Sequence, residues 1–289
     1  MLQVAVLSGK GGTGKTVVTA ALADVLPGAK AFADCDVEAA NLALLLSPKE
    51  RGRIPFFGMK KAEIRREACV ACGLCREACH FHAIGKDTVG HYHVDRVRCE
   101  GCAVCREVCP ERAINLVEHQ DGEIILADTA QGPLVYAELY PGSGNSGLLV
   151  HEVKKAALKE SGNRDLLLID GPPGIGCPVI STLSGINAAV LVTEPGIAAL
   201  HDLRRLVTVS SGFSLSHWVV INRADLHPGY TRKIESYCAG LGIPVIGKIP
   251  FDPVVISAVR DGLPVTRREC AASRELQSIG MRLMEGLSL

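Results

Sequence analysis

Aromatic residues are scarce in this chain: Phe, Trp and Tyr make up 4% of 289 residues, with a single Trp. A core built without them is aliphatic, as in parallel sheets buried on both faces. An excess of charge of one sign is also missing, with 31 Lys and Arg against 31 Asp and Glu. That balance gives no support for a nucleic-acid or polybasic membrane partner. No apolar run reaches the roughly 20 residues of a membrane span. The first strand pattern begins at residue 2, which leaves no room for a signal peptide, so a cytoplasmic location is expected. Cysteine reverses the trend. Twelve cysteines in a cytosol-type chain point to metal or redox chemistry rather than structural disulfides. The length allows one large domain or two modest ones.

The octapeptide Gly9-Lys10-Gly11-Gly12-Thr13-Gly14-Lys15-Thr16 follows an apolar strand, residues 2–7, and precedes a helical run from Val17 to Val25. Strand, Gly-rich turn with Lys-Thr, then helix is the context of a phosphate-binding loop. The glycines let successive backbone N–H groups face one anion, and the helix N-terminus adds to that field. Lys15 is expected to neutralise the β and γ phosphates, and Thr16 to give its hydroxyl to Mg²⁺.

A second strand, residues 30–34, ends at Asp34-Cys35-Asp36. Two readings of Asp36 stand side by side: it polarises the attacking water, or it caps a helix running from there through Leu46. Basic, loop-like sequence follows Pro48. After residue 118 the aliphatic pattern returns, with strands at 123–127, 166–170, 189–193, 218–222 and 244–249. Helices are expected near 149–160, 197–211, 230–241 and 253–261. Leu166-Leu167-Leu168-Ile169-Asp170 has the form of a Walker B strand, with Asp170 organising Mg²⁺ through Thr16 and water. The loop Gly171-Pro172-Pro173-Gly174 is suited to sensing a γ-phosphate. Leu276, Ile279, Leu283 and Leu287 stand at helical spacing; docking on the core is favoured over a membrane surface, because basic residues are few there.

The most specific signal is an internal repeat. Cys69-x2-Cys72-x2-Cys75-x3-Cys79 recurs as Cys99-x2-Cys102-x2-Cys105-x3-Cys109-Pro110, with a period of 30 residues. In two-cluster ferredoxins the fourth cysteine of each run ligates the other cluster. Cys69, Cys72, Cys75 and Cys109 are then expected to hold one 4Fe–4S cluster, and Cys79, Cys99, Cys102 and Cys105 the other. Zinc is the alternative, although zinc sites pair two Cys-x2-Cys hooks instead. His80 stands where the second copy has Pro110, and His82, His91 and His93 are expected to be solvated. Residues 60–118 hold ten Lys and Arg and nine Asp and Glu; two oxidised clusters with their thiolates add about four negative charges. The segment is then mildly acidic and fits a small redox partner protein.

Lys10, directly after Gly9, makes the loop resemble the deviant Walker A of the MinD/ParA/nitrogenase-iron-protein superfamily. Asp34-x-Asp36, Asp170-Gly-Pro-Pro-Gly, Asn222-Arg223 and Pro250-Phe251-Asp252 follow in that superfamily's order. With its eight-cysteine insert, the chain is similar to MinD-type P-loop ATPases carrying an inserted ferredoxin domain. The resemblance implies an α/β fold, a mainly parallel sheet flanked by helices, interrupted by an α+β ferredoxin-like domain. The expected division is 1–58 and 119–289 for the ATPase and 59–118 for the insert. It also implies a nucleotide-sandwiched homodimer in which Lys10 reaches the partner's phosphates. Asp36 would align water, Asp170 would stand behind Mg²⁺, and Asn222, Pro250 and Asp252 would contact adenine.

Cys177 lies seven residues after Asp170, where nitrogenase iron proteins carry a ligand of a shared cluster. The 141–147 loop, which would supply the second ligand, has no cysteine, so a small buried residue is favoured. The leading expectation is an ATP-hydrolysing, dimerising protein that couples a nucleotide switch to electron transfer through two clusters. The rivals are an Mrp-like iron–sulfur carrier, against which the missing Cys-x-x-Cys pair counts, and a MinD-like positioning ATPase with a redox-sensing insert.

Overall fold

The computed structural model describes residues 1–287. Its elements run β1 (Leu2–Ser8), α1 (Lys15–Val25), β2 (Lys30–Asp34), α2 (Leu42–Leu46), β3 (Lys49–Phe57), β4 (Lys61–Ile64), α3 (Leu74–Glu77), β5 (Ile84–Lys86), β6 (Tyr92–Val94), α4 (Val104–Glu107), β7 (Ile114–Val117), β8 (Gln120–Thr129), β9 (Gly132–Leu139) and α5 (Ser146–Ser161). There follow β10 (Leu166–Pro173), α6 (Cys177–Leu183), β11 (Ala188–Thr193), α7 (Ile197–Ser210), β12 (Ser216–Asn222), α8 (Pro228–Gly240), β13 (Val245–Ile249), α9 (Pro253–Arg260) and α10 (Ala271–Leu287). The chain divides into two compact units. The first comprises Met1–Arg53, Ile124–Glu138 and the chain from Ser146 onward; the second comprises Ile54–Glu123 and Leu139–Asn145. The expected insert, 59–118, lies inside the second unit.

In the first unit the strand order from β13 is β12, β11, β1, β10, β2, β9, β8, β3. Every pairing from β13 through β9 is parallel. The middle strands are buried over their central runs, Val4–Leu7, Leu166–Ile169 and Ala188–Val192, as expected when helices cover both faces. The register sets the site: Val6 lies opposite Asp170, and Asp170 opposite Asp34. Two carboxylates and the phosphate-binding turn therefore share one carboxyl edge of the sheet, where open α/β sheets bind ligands. Helix α10 buries Leu276, Ile279 and Leu283 in the aliphatic core, so the C-terminal run docks on its own domain.

Three local expectations are corrected. Residues 49–57, read as a loop, form β3 at the sheet edge. Their charges form exposed ion pairs, Arg51 with Asp128 and Glu160, Arg53 with Glu50 and Glu138. Pro55 and the charges suit an edge, where a missing N–H and repulsion of foreign strands both help. The helix expected from Asp36 begins only at Leu42. The strand β9 has no counterpart in the sequence reading.

The second unit repeats itself in backbone as in sequence. β4 pairs antiparallel with β7, and β5 with β6. Left-handed backbone recurs with the 30-residue period, at Ala71 and Gly101, Gly73 and Ala103, and His82 and Arg112. Four of these six are not glycine, a strain of about 1 kcal/mol each that something in the unit must over-determine. Its core is small: Ala62, Cys75, Ala83, Ile84, Tyr92, Cys99, Cys105 and Ile114.

Candidate functional site

The loop from Gly9 to Thr16 connects β1 to α1 and borders a cleft of about 910 Å³ lined by Ser8, Gly11 to Val17, Asp36, Glu38, Ala39, Asn41 and Pro173. Gly14 has φ +90° and lies against the Asn222 side chain, so a Cβ has neither the conformation nor the room there. Asn222 Nδ2 donates to the Thr13 carbonyl at 2.8 Å, which ties the loop to the end of β12.

Lys15 is the centre of the charge arrangement. Its Nζ lies 3.2 Å from Asp36 Oδ2 and 3.5 Å from Asp170 Oδ1. Burial works against its ammonium, but Asp170, Asp36 and Asp34 outweigh that and raise its pKa. Burial pushes Asp36 up despite Lys15, and burial with Asp170 beside it pushes Asp34 well up. Asp170 is fully buried and saturated with donors: Thr16 Oγ1 at 2.7 Å and Thr19 Oγ1 at 2.8 Å, besides Lys15. The Thr16 hydroxyl thus borders the cleft with the buried Asp170 carboxylate directly behind it, an oxygen set that suits Mg²⁺ held through Thr16.

The two readings of Asp36 separate. Asn41, not Asp36, precedes the first residue of α2, and the Asp36 carboxylate faces Lys15. Asp34 holds the turn between them, accepting from Asp36 N at 3.1 Å and Leu42 N at 2.9 Å. Lys10 turns onto Glu194 of its own chain, and Glu194 also binds Arg223 at 3.2 Å. A second cavity of about 520 Å³ is lined by Val17, Asn222, Arg223, Pro250, Phe251 and Asp252, among others. Within it the Asp252 carboxylate is engaged by backbone N–H groups of Val254, Ala271 and Ala272, which caps α9 and anchors the start of α10.

Cys177 corrects the sequence reading: it is exposed. It opens α6, whose inward face is made by Val179, Thr182 and Leu183. Thr19 and Glu194 were missed, and Asp34 was noted only as part of the Asp34-x-Asp36 motif, without a role of its own. Thr19 lies four residues after Lys15, the spacing that puts both on one helix face, and that was its only signal.

In the second unit the eight repeat cysteines sort into two cavities. Cys69, Cys72, Cys75 and Cys109 line one small cavity; Cys79, Cys99, Cys102 and Cys105 line another of equal size. Each takes three sulfurs from one copy of the repeat and one from the other. The remaining lining is mainly apolar, with Ile64, Tyr92 and Ile114 in the first and Phe81, Ile84 and Val94 in the second. Ala83 N points at Cys79 Sγ at 3.4 Å and Ala113 N at Cys109 Sγ at 3.3 Å, again one period apart. Burial pushes the Cys105 thiol up to about 11, with Cys99, Cys102 and Cys79 adding to it, so a metal must displace its proton. Among the described residues no three His, Cys, Asp or Glu side chains converge closely enough to hold a single metal ion. Four sulfurs converging on one small cavity with an apolar lining are a donor set that fits a polynuclear iron–sulfur group. His80, His82, His91 and His93 are exposed.

No helix among the described residues is long and apolar enough to cross a membrane. The family model of the CobQ/CobB/MinD/ParA nucleotide binding domain matches residues 4–265. An uncharacterized protein of Methanocaldococcus jannaschii is 31% identical over 290 residues, 99% of this chain and 97% of that protein. A cytosolic Fe-S cluster assembly factor Nubp1 homolog of Drosophila willistoni is 27% identical over 149 residues, 44% of this chain. The match spans about half the length of that relative, 47%. The septum site-determining protein MinD of Pyrococcus horikoshii, solved with Mg-ADP, shares the fold with a TM-score of 0.60 at 21% identity, covering 100% of this chain and 98% of that one. With its phosphate-binding loop, parallel sheet and matched length, the chain belongs to the CobQ/CobB/MinD/ParA nucleotide-binding family of P-loop proteins.

Proposed function

We propose that the protein is an ATP-hydrolysing, nucleotide-switched iron–sulfur protein that passes electrons through two 4Fe–4S clusters. The observation that carries the reading is the crossed sorting of eight cysteines into two four-sulfur cavities on a chain that also holds a phosphate-binding loop. Lys15 neutralises the β and γ phosphates, Thr16 gives its hydroxyl to Mg²⁺ with Asp170 behind it, and Asp36 aligns the attacking water. Nucleotide draws Lys15 away from Asp36 and frees that carboxylate for water; ATP and water then yield ADP and phosphate. Lys10, released from Glu194, reaches the nucleotide of a second copy in a homodimer. Asn222 keeps the loop in shape, and Pro250 with the Asp252 turn borders the adenine.

Bound clusters supply one-electron storage. The cysteine thiolates hold them and the apolar linings exclude water. The unit would then take one electron from a one-electron donor protein and give it to a one-electron acceptor protein, with no bond made or broken.

A chain path links the switch to the cysteines. The loop after Asp170 leads into α6, and a Cβ placed on Gly147 lies 3.1 Å from Cys177 Cβ, so the starts of α6 and α5 touch. The residue before α5, Asn145, already belongs to the second unit.

The test is Mg²⁺-dependent ATP hydrolysis alongside iron content. Lys15→Ala is expected to lower kcat/KM by about 100-fold or more while iron stays at about eight per chain. An unchanged rate, or iron far below that, contradicts the reading. A second reading, an iron–sulfur carrier, is favoured by the likeness to Nubp1 relatives and by the exposed Cys177. It predicts transfer of a cluster to an apo-ferredoxin; retention of both clusters excludes it.

A further inference from the structure

Lys61 is the first residue of β4 and one of the largest fully buried side chains of the protein, 2% exposed. Its Nζ donates to the Cys99 carbonyl at 2.6 Å, and among the described residues no carboxylate lies within ion-pair distance of it. An ammonium carries three donors and a full charge. A buried charge without a counter-ion is costly, so this lysine points to an anion that the side chains alone do not provide. Cys99 lines the second cavity, and so does Ala62, the neighbour of Lys61. The contact is built in. Gly101, at φ +71°, lies against the Lys60 carbonyl, 2.6 Å from where a Cβ would be, so the second cysteine loop closes on the start of β4 with no space for a side chain.

Among the described residues the lining of the first cavity includes no lysine or arginine. One repeat period after Lys61 stands His91, which is exposed. In other respects the cavities match: each has four sulfurs, an apolar lining and one glutamate, Glu111 in the first and Glu100 in the second.

We propose that Lys61 is a positioning residue that makes the two redox sites unequal: its buried charge raises the reduction potential of the site formed by Cys79, Cys99, Cys102 and Cys105 above that of the other. This rests on the reading of both cavities as 4Fe–4S sites. Reduction adds one negative charge, and a nearby buried cation stabilises the reduced form more than the oxidised one. One electron received from a one-electron donor protein therefore comes to rest on the Cys99 side, which gives the unit a direction.

The test is an EPR-monitored potentiometric titration of the full chain with its clusters. The unsubstituted protein is expected to show two separate one-electron steps, and Cys102→Ser is expected to remove the upper one. Lys61→Met, with iron content unchanged, is expected to move only the upper step down, toward the lower. Lys60→Met, at an exposed neighbour, moves neither. Coincident steps in the unsubstituted protein, loss of the lower step in Cys102→Ser, or a Lys61→Met shift that is absent or equal in both steps overturns the proposal. The first two measurements decide it even if Lys61→Met does not assemble. Iron far below about eight per chain in the unsubstituted protein would instead contradict the cluster reading itself.

Discussion

The two units solve the problem of buried polar groups in opposite ways. At the phosphate-binding loop the charges satisfy one another: Lys15 lies between Asp36 and Asp170, and Asp170 also takes Thr16 and Thr19. In the cysteine unit the sulfurs face small apolar cavities, five residues other than glycine sit in left-handed conformations, four of them in the repeat, and Lys61 carries a buried charge with no side-chain counter-ion. One site is closed by its own residues and must open for a ligand. The other, on the proposed reading, is finished by the clusters it would bind. A large aliphatic core stands behind the first, whereas the second rests on eight residues, three of them cysteines.

The largest effect that sharpens this contrast is iron removal. A small unit whose core includes its own ligands depends on the inorganic group for its fold. Chelation under reducing conditions is expected to make residues 54–123 sensitive to protease while the sheet unit still binds nucleotide. Protection of both units after complete iron loss would break the comparison.

An intermediate effect belongs to the closed network. Thr19→Val keeps the shape of the side chain and removes the hydroxyl that donates to buried Asp170 at 2.8 Å. Leaving that carboxylate one donor short is expected to cost about 1–3 kcal/mol, read from denaturant unfolding of the sheet unit. An unchanged midpoint would mean that Asp170 is satisfied in another way.

The sequence foretold some of this and hid the rest for identifiable reasons. The loop at 9–16 and the ends of β1 and β10 were legible because strand, turn and helix are local patterns. The cysteine sets were legible because the repeat carries its own spacing. Asp36 was undecided because its partner Lys15 is 21 residues away, and only the parallel register brings them together. Residues 49–57 looked like a loop because their charges find partners, Asp128, Glu138 and Glu160, far along the chain. Cys177 was expected inside because cysteine usually is, but it opens a helix whose buried face begins at Val179. Lys61 gave no signal, since its partner, the Cys99 carbonyl, lies 38 residues along the chain.

The smallest effect is a pH dependence confined to the sheet unit. His217 is half-buried and contacts Ser210 Oγ at 2.9 Å. Burial lowers its pKa below the ordinary 6.5, partly offset by Ser210. The folded state therefore binds the proton less readily than the unfolded chain. The stability His217 contributes is complete above pH 6.5 and is lost as pH falls toward the lowered value. His217→Gln is expected to flatten unfolding midpoints across that window, and an equal slope in both proteins would contradict it.

The central claim is that the closed site governs the unfinished one. It is tested most directly by the reduction potentials of the bound clusters, measured by EPR-monitored titration with and without a non-hydrolysable ATP analogue. The account predicts that the analogue moves at least one potential in the unsubstituted protein and neither in Lys15→Ala. Identical potentials with and without the analogue, at nucleotide saturation, would contradict it.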